Sequence, residues 1–385
     1  MFSSRTKWNL TPNRFSATLN AHRAAGRELF DLTESNPTRC GFNYDPRLLE
    51  SLIHPAGLEY HPDPCGLREA REAVTRYYAE RGTVVDRNDV ILTASTSEAY
   101  TYIFRLLCDP REQVLVPAPS YPLFEFLASL QDLSLVPYRL FYDYGWHLDL
   151  HSVTSAITAR SRAVIVVHPN NPTGSFLGPE EMRGLDMLCA ERSLALIADE
   201  VFLDYAHDGL PRPSFAAANS ALSFTLSGLS KIAALPQMKL AWLVLNGPPE
   251  LKSAALQRLE VIADTYLSVS TPLQLALPSL LAGRHAIQKQ ICRRLTENLT
   301  ELDRQLASHS HCHRLEVEGG WYSVLRVPAT RPDEDLAIAL LEERGVLVHP
   351  GHFYDFPDDG YFVLSLITPP DTFRAGMRRL LEFLG

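Results

Sequence analysis

The chain has no CxxC pair, no uninterrupted run of about 18 apolar residues, no block of like charge, no internal repeat and no low-complexity stretch. Each absence removes a class of protein. The six cysteines (Cys40, Cys65, Cys108, Cys189, Cys292 and Cys312) are scattered, so neither a zinc site nor a disulfide framework is expected. They read as reduced thiols in a cytoplasmic protein, and no metal-ligand spacing stands out. The opening "MFSSRTKWNLTPNRF" contains no apolar stretch of the signal-peptide kind, and no segment is expected to span a membrane. The net charge of -9 comes from interleaved acidic and basic residues, which offers no basic surface for nucleic acid.

What is present is length and apolar content. With 385 residues, 46% of them hydrophobic, the chain exceeds what one core usually serves. Six short apolar runs end in Pro, Gly, Ser or Asp: "DVILTAS" (89–95), "QVLVPAP" (113–119), "AVIVVHP" (163–169), "LALIADEVF" (194–202), "LSFTLSG" (222–228) and "LAWLVLN" (240–246). They are continuously hydrophobic rather than alternating, as strands covered on both faces are. Helical patterns such as "SEAYTYIFRLLC" and "GPEEMRGLDMLCAERS" lie between them. That alternation predicts an α/β fold with a doubly wound, mainly parallel sheet. From about residue 285 an amphipathic helix, "IQKQICRRLTENLTELDRQLAS", leads into strand-like "YSVLRV" and "YFVLSLI". The expected organisation is a large domain over 46–284, a smaller α+β domain over 285–385, and a segment 1–45, without a long periodic element, joining the smaller one.

Ligands of such sheets sit at the carboxyl ends of the strands, where the polar residues of this chain collect. Ser95, Thr96 and Ser97 open a helix after "VILTA" and suit a phosphate, with an ordinary N-cap as the competing reading. Tyr121 follows "VLVPAPS", where its ring can lie on a planar ligand or simply pack in the loop. Asn171, in "HPNNPTG", presents an amide in a tight turn, a place asparagine also takes for conformational reasons. Asp199, beside Glu200, closes a hydrophobic strand and needs a cation, a cap or an ion pair. Lys231 follows "TLSGLS". Together these specify a planar, phosphorylated, cationic aldehyde: pyridoxal 5'-phosphate. Lys231 would hold it as a Schiff base, Asp199 would keep its ring nitrogen protonated, Asn171 would bond its phenolic oxygen and Tyr121 would stack on its face.

The motifs "YHPDPCGLREAREAV", "VLVPAPSYP", "HPNNPTG", "ADEVF", "SGLSK" and "VLVHPGHFY", in this order, resemble the fold-type I pyridoxal-phosphate enzymes, specifically the class I/II aminotransferases, over nearly the whole chain. The resemblance implies that Ser95, Thr96 and Ser97 hold the phosphate together with Ser230. It also implies that Tyr60 reaches the phosphate of a partner subunit, hence a homodimer with shared active sites. Three positions depart from the family pattern. Phe202 replaces the usual tyrosine that donates to the ring oxygen, leaving Asn171 as that oxygen's main partner. Lys239 replaces an arginine, keeping the charge but not the bidentate fork. Val363, in "YFVLS", stands where the family carries the arginine that clamps the substrate carboxylate. Arg39, just after "ESNPT", is the first substitute and Arg14 a weaker one, with a solvated surface arginine as the competing reading for each; Asn36 is a further substrate-binding candidate. "WNL", "TESN" and Trp321–Tyr322 are expected to help shape the pocket.

The reaction expected is transamination between an amino acid, or a related amine, and a 2-keto acid. A lyase, decarboxylase or racemase on the same cofactor, and a non-catalytic homologue, are the rivals.

Overall fold

All six apolar runs form strands of one eight-stranded sheet in the computed structural model, which describes residues 1–60 and 62–385. Across the sheet the order is Val90–Thr93, Ala241–Asn246, Ser223–Gly228, Ala195–Asp199, Ser161–Val167, Gln113–Ala118, Ser134–Tyr142 and Trp146–Leu148. The pairings from Ser223–Gly228 through to Ser134–Tyr142 are parallel. Ala241–Asn246 runs antiparallel to both of its neighbours, and Trp146–Leu148 is antiparallel to the strand it borders. Val90–Thr93 therefore points the same way as the parallel set, and all these carboxyl ends emerge on one edge.

Alternate residues of the central strands feed different apolar layers, which explains their unbroken hydrophobicity. Val114, Val116, Ile165, Val167, Ile197 and Phe224 face a layer closed by Ala99, Ile103, Ala255 and Leu259 of the helices Thr96–Leu107 and Pro249–Tyr266. Leu115, Val164, Val166 and Leu196 face the opposite layer, closed by Leu185 and Cys189 of helix Pro179–Glu191. Each such aliphatic side chain contributes roughly 1.5–3 kcal/mol on burial. The two outermost strands on one side were not foreseen. "SLVPYRLFY" mixes exposed and buried residues and carries Pro137, which is tolerated only because this strand lies near the sheet edge.

The segment before residue 45 differs from expectation as well. It contains an eleven-residue helix, Arg14–Ala24, whose Asn13 side chain accepts from the backbone N–H of Ser16. Further on, Phe30–Asp31 pairs in parallel with Val346–Leu347. A second, four-stranded antiparallel sheet orders His313–Arg314, Tyr322–Arg326, Tyr361–Ser365 and His349–Pro350 side by side.

One helix, Thr271–Leu306, serves both cores, and the boundary expected at 284/285 falls inside it. Its first half buries Leu273, Leu277 and Leu280 beside the large sheet; its second buries Ile287, Ile291, Leu295 and Leu302 under the small one. Among the described residues, no helix is long and apolar enough to cross a membrane. Asn298, buried on this helix, donates through Nδ2 to the carbonyls of Leu366 and Thr368, each at 2.8 Å. Asn298→Ala leaves the Leu366 carbonyl without that donor, and chemical denaturation is expected to show a loss of about 2 kcal/mol.

Candidate active site

The side chains that leave the parallel strand ends meet in a cavity of about 290 Å³. Thr96, Ser97, Tyr121, Asn171, Asp199, Phe202, Ser230 and Lys231 all line it, joined by Ser35, Tyr322, His349 and Tyr354. Backbone geometry explains why these elements converge. Asp199 ends its strand opposite Leu226, and Lys231 sits in the single turn Leu229–Ile232 that follows the strand containing Leu226. Adjacent parallel strands thus deliver an acid and an amine to one space.

Lys231 is held by its surroundings on several sides. Its carbonyl accepts from the Tyr205 hydroxyl at 2.6 Å, which anchors the turn. Its Nζ lies 5.4 Å from the Phe202 ring centroid and 4.9 Å from that of Trp321. Burial pushes the amine's pKa down to about 8, while the charge of Asp199 and the Cys40 thiol pull the other way. A substantial fraction is therefore free amine near neutral pH, as a nucleophile requires.

Asp199 is buried and its carboxylate is committed to donors. Oδ2 accepts from the Tyr100 hydroxyl at 3.1 Å, and Oδ1 from the Val201 N–H at 3.2 Å. Burial raises its pKa to about 6; the Val201 N–H, the Tyr100 hydroxyl and Lys231 oppose that rise. Above that value it is an anion in a nearly dry site, and a cationic ring nitrogen satisfies it. Tyr100 was not foreseen. It lies four residues after Thr96, one turn along the same helix face, and that spacing is the signal that points to it. Glu200, the next residue, plays no part in the cavity lining. Its Oε2 accepts from Ser214 Oγ and its Oε1 from the Phe215 N–H, both at 2.6 Å, so it fixes the segment that follows.

The "NNPTG" turn is built for close approach. Asn170 Nδ2 donates to the Pro119 carbonyl at 3.1 Å and to Thr173 Oγ1 at 2.9 Å, tying this turn to the one bearing Tyr121. Gly174 has φ +71, and a Cβ there would collide with Val317 and the Gly319 carbonyl. The N–H groups of Glu318 and Gly319 donate to the Gly174 carbonyl, so the "EGG" loop of the small sheet rests on this turn. That docking carries Trp321 and Tyr322 to Lys231. Asn171 is buried with its Oδ1 unpartnered, and it borders the cavity. A buried amide oxygen without a donor marks a place where a ligand can complete the hydrogen bonding, and the Nδ2 of the same amide is the group able to donate to a ligand oxygen.

Other expected residues stand elsewhere. Ser95 is the N-cap of helix Thr96–Leu107, its Oγ accepting from the Glu98 N–H at 3.2 Å, while Glu98 Oε2 accepts from the Ala94 N–H. Asn36 caps the turn Pro37–Arg39, accepting from the N–H and the hydroxyl of Thr38; its neighbour Ser35 lines the cavity instead. Arg39 is exposed and outside the lining. Arg14 is exposed and paired with Asp335 at 2.7 Å. Lys239 is exposed in the turn before strand Ala241–Asn246, and Tyr60 is exposed as well; neither lines the cavity within one chain. Trp8 rests against Phe126, ring centroids 6.0 Å apart. Val363 is buried with Val324, Tyr354 and Phe356 around it.

Pyridoxal phosphate fits these residues. The hydroxyls of Thr96, Ser97 and Ser230, the N-terminus of helix Thr96–Leu107, an aspartate, a lysine and an asparagine amide all border one space. The chain matches the family described as Aminotransferase class I and II over residues 54–376. It is 26% identical to the glutamate-pyruvate aminotransferase AlaA of Haemophilus influenzae over 368 residues, covering 93% of this chain and 91% of the relative. It is 29% identical to an alanine aminotransferase of Mycobacterium bovis over 373 residues, covering 94% of this chain and 86% of the relative. An alanine aminotransferase from Pyrococcus furiosus superposes with a TM-score of 0.91 at 23% identity, covering 100% of this chain and 99% of that one. With the fold, the cavity and the family match in agreement, the chain belongs to the class I and II aminotransferases, enzymes that use pyridoxal 5'-phosphate.

Proposed function

We propose that Lys231 and Asp199 are the catalytic pair of this aminotransferase, and that it exchanges an amino group between a small amino acid and a 2-keto acid. The names of the relatives make alanine or glutamate, with pyruvate or its five-carbon counterpart, the first pairs to test. The observation that carries this reading is the lowered pKa of Lys231 in a cavity it shares with the buried carboxylate of Asp199.

Bound pyridoxal phosphate supplies an aldehyde that captures amines and a protonated ring that withdraws electrons from the substrate's α-carbon. The chain's own groups do the rest. Thr96, Ser97 and Ser230 donate to the phosphate at the N-terminus of helix Thr96–Leu107. Lys239 adds a point charge at that end, and Tyr60 is offered to the site of a second copy in a homodimer. Asp199 keeps the proton on the ring nitrogen, and Tyr100 keeps Asp199 ionised and oriented. Asn171 donates to the phenolic oxygen, a task it performs alone because Phe202 has no hydroxyl. Tyr121 covers the ring face. Lys231 would hold the cofactor's aldehyde, and its amine, when free, would act as the base and acid that moves the substrate's α-proton. Phe202 and Trp321 flank that amine, shed water from it and keep its basicity low. The six free thiols, with burial raising Cys40 and Cys189 to about 12, suit a reducing cytoplasm.

Lys231→Ala is expected to abolish turnover while leaving circular dichroism and thermal unfolding near wild type; near-normal transamination by that variant overturns the assignment. Transamination also requires an acceptor to recycle. Wild-type enzyme given only an amino donor is expected to stop after one turnover per site and to resume when keto acid is added. Continued turnover on donor alone favours a lyase. Tyr100→Phe removes a donor that favours the Asp199 carboxylate, so activity is lost at higher pH on acidification. The acid limb of the kcat profile is expected to move up by about 0.5–1 pH unit, since one hydrogen bond is worth about 1 kcal/mol.

A further inference from the structure

An amino-acid substrate brings a carboxylate into a cavity with few means of receiving one. Among the described residues that line it, only Lys231 and His349 are able to carry positive charge. Lys231 is engaged by the amine chemistry proposed above. Taking a carboxylate out of water with no cation or donor to meet it costs several kcal/mol.

The position of His349 follows from sheet register. Strand His349–Pro350 pairs antiparallel with Tyr361–Ser365, placing His349 opposite Val363, and Val363 is opposite Val324 on the next strand. Residues directly opposite share a face, with Cβ atoms about 5 Å apart. The row His349–Val363–Val324 is therefore two apolar side chains and one imidazole. The imidazole borders the cavity. Its Nδ1 lies 3.0 Å from the hydroxyl of Tyr354, itself buried and part of the same wall. Its Nε2 has no hydrogen-bond partner among the described residues. The Phe353 ring, centroid 5.9 Å away, limits its rotation. Tyr322, on the strand beyond the one bearing Val363, and Ser35 add hydroxyls to the same lining.

We propose that His349 is the specificity-determining residue that receives the substrate's carboxylate, with Nε2–H donating to it while Tyr354 fixes the ring through Nδ1. This rests on the reading that the substrate is an amino acid. It gives the valine-bearing strand a neighbouring group that takes up the charge, and it makes recognition depend on protonation.

The ionisable groups around the ring are Asp31 from strand Phe30–Asp31, Tyr354 on the following turn, Tyr322 on the strand beyond the one bearing Val363, and Tyr121, Asp199 and Lys231 across the cavity. Burial pushes the imidazole pKa below its ordinary value, and Asp31 partly opposes this. A carboxylate at Nε2 raises it again, so the complex holds a proton more firmly than the free enzyme. Binding then takes up a proton, is tightest on the acid side, and weakens as pH rises through the imidazole pKa of the complex.

The test uses holoenzyme and two amines, 2-methylalanine and isopropylamine, which differ by the carboxylate; the first has no α-hydrogen and so cannot complete transfer. Displacement of the cofactor's absorbance band reports the Kd of each. His349→Ala is expected to weaken 2-methylalanine by roughly tenfold or more while changing isopropylamine by less than about twofold. His349→Gln keeps one N–H donor and is expected to fall between the two, with the imidazole's contribution to the pH dependence of Kd lost. Unchanged affinity for 2-methylalanine in both variants, or equal weakening of both amines, overturns the assignment of His349 and leaves the transaminase reading standing. A wild-type band that no amine displaces overturns both. Should His349→Ala fail to fold, the His349→Gln comparison decides.

Discussion

A carboxylate and an amine, brought out of water at the ends of adjacent strands, set the terms for the rest of this molecule. Burial raises the acid to about 6 and lowers the amine to about 8, and the charge of each partly opposes the shift of the other. Between those values both can act, one as an anion and the other as partly free base. The surrounding structure maintains the condition. Tyr100 and the Val201 N–H hold the acid, and the Tyr205 hydroxyl holds the backbone of the lysine.

The second sheet completes the site rather than merely covering it. Trp321, Tyr322, His349 and Tyr354 all come from beyond residue 320, and the "EGG" loop hydrogen-bonded to Gly174 brings the first two to the strand ends. The large sheet thus supplies the lining residues proposed to engage a cofactor, and the small one supplies the facing wall. The two sides of the cavity rest on different cores.

That division explains what was legible in the sequence. Strand ends of a doubly wound sheet are local features: an apolar run stops, and the next polar residue has a known place. Thr96, Ser97, Tyr121, Asn171, Asp199, Ser230 and Lys231 are placed in one space by that rule. Ser95 obeyed the local rule of helix capping instead. The wall on the small-sheet side was legible only in part: "TESN" and Trp321–Tyr322 were expected there, and Ser35 and Tyr322 do line the cavity, but His349 was not, because its place depends on its register against Val363. Arg39 looked suitable because it carries charge in a segment that lies on the substrate side in the family it resembles, yet it is exposed and outside the lining, while Ser35 lines the cavity. The edge strand Ser134–Tyr142 escaped notice because half of it is wet and it contains a proline.

The helix Thr271–Leu306 joins these two regions without a break across 36 residues, about 54 Å of continuous rod. A stretch of flexible chain would let either core loosen while the other stayed intact. A shared rod does not: fraying its middle strips Leu280 from one core and Ile287 from the other within two turns. The two halves of the molecule are therefore thermodynamic hostages of one another.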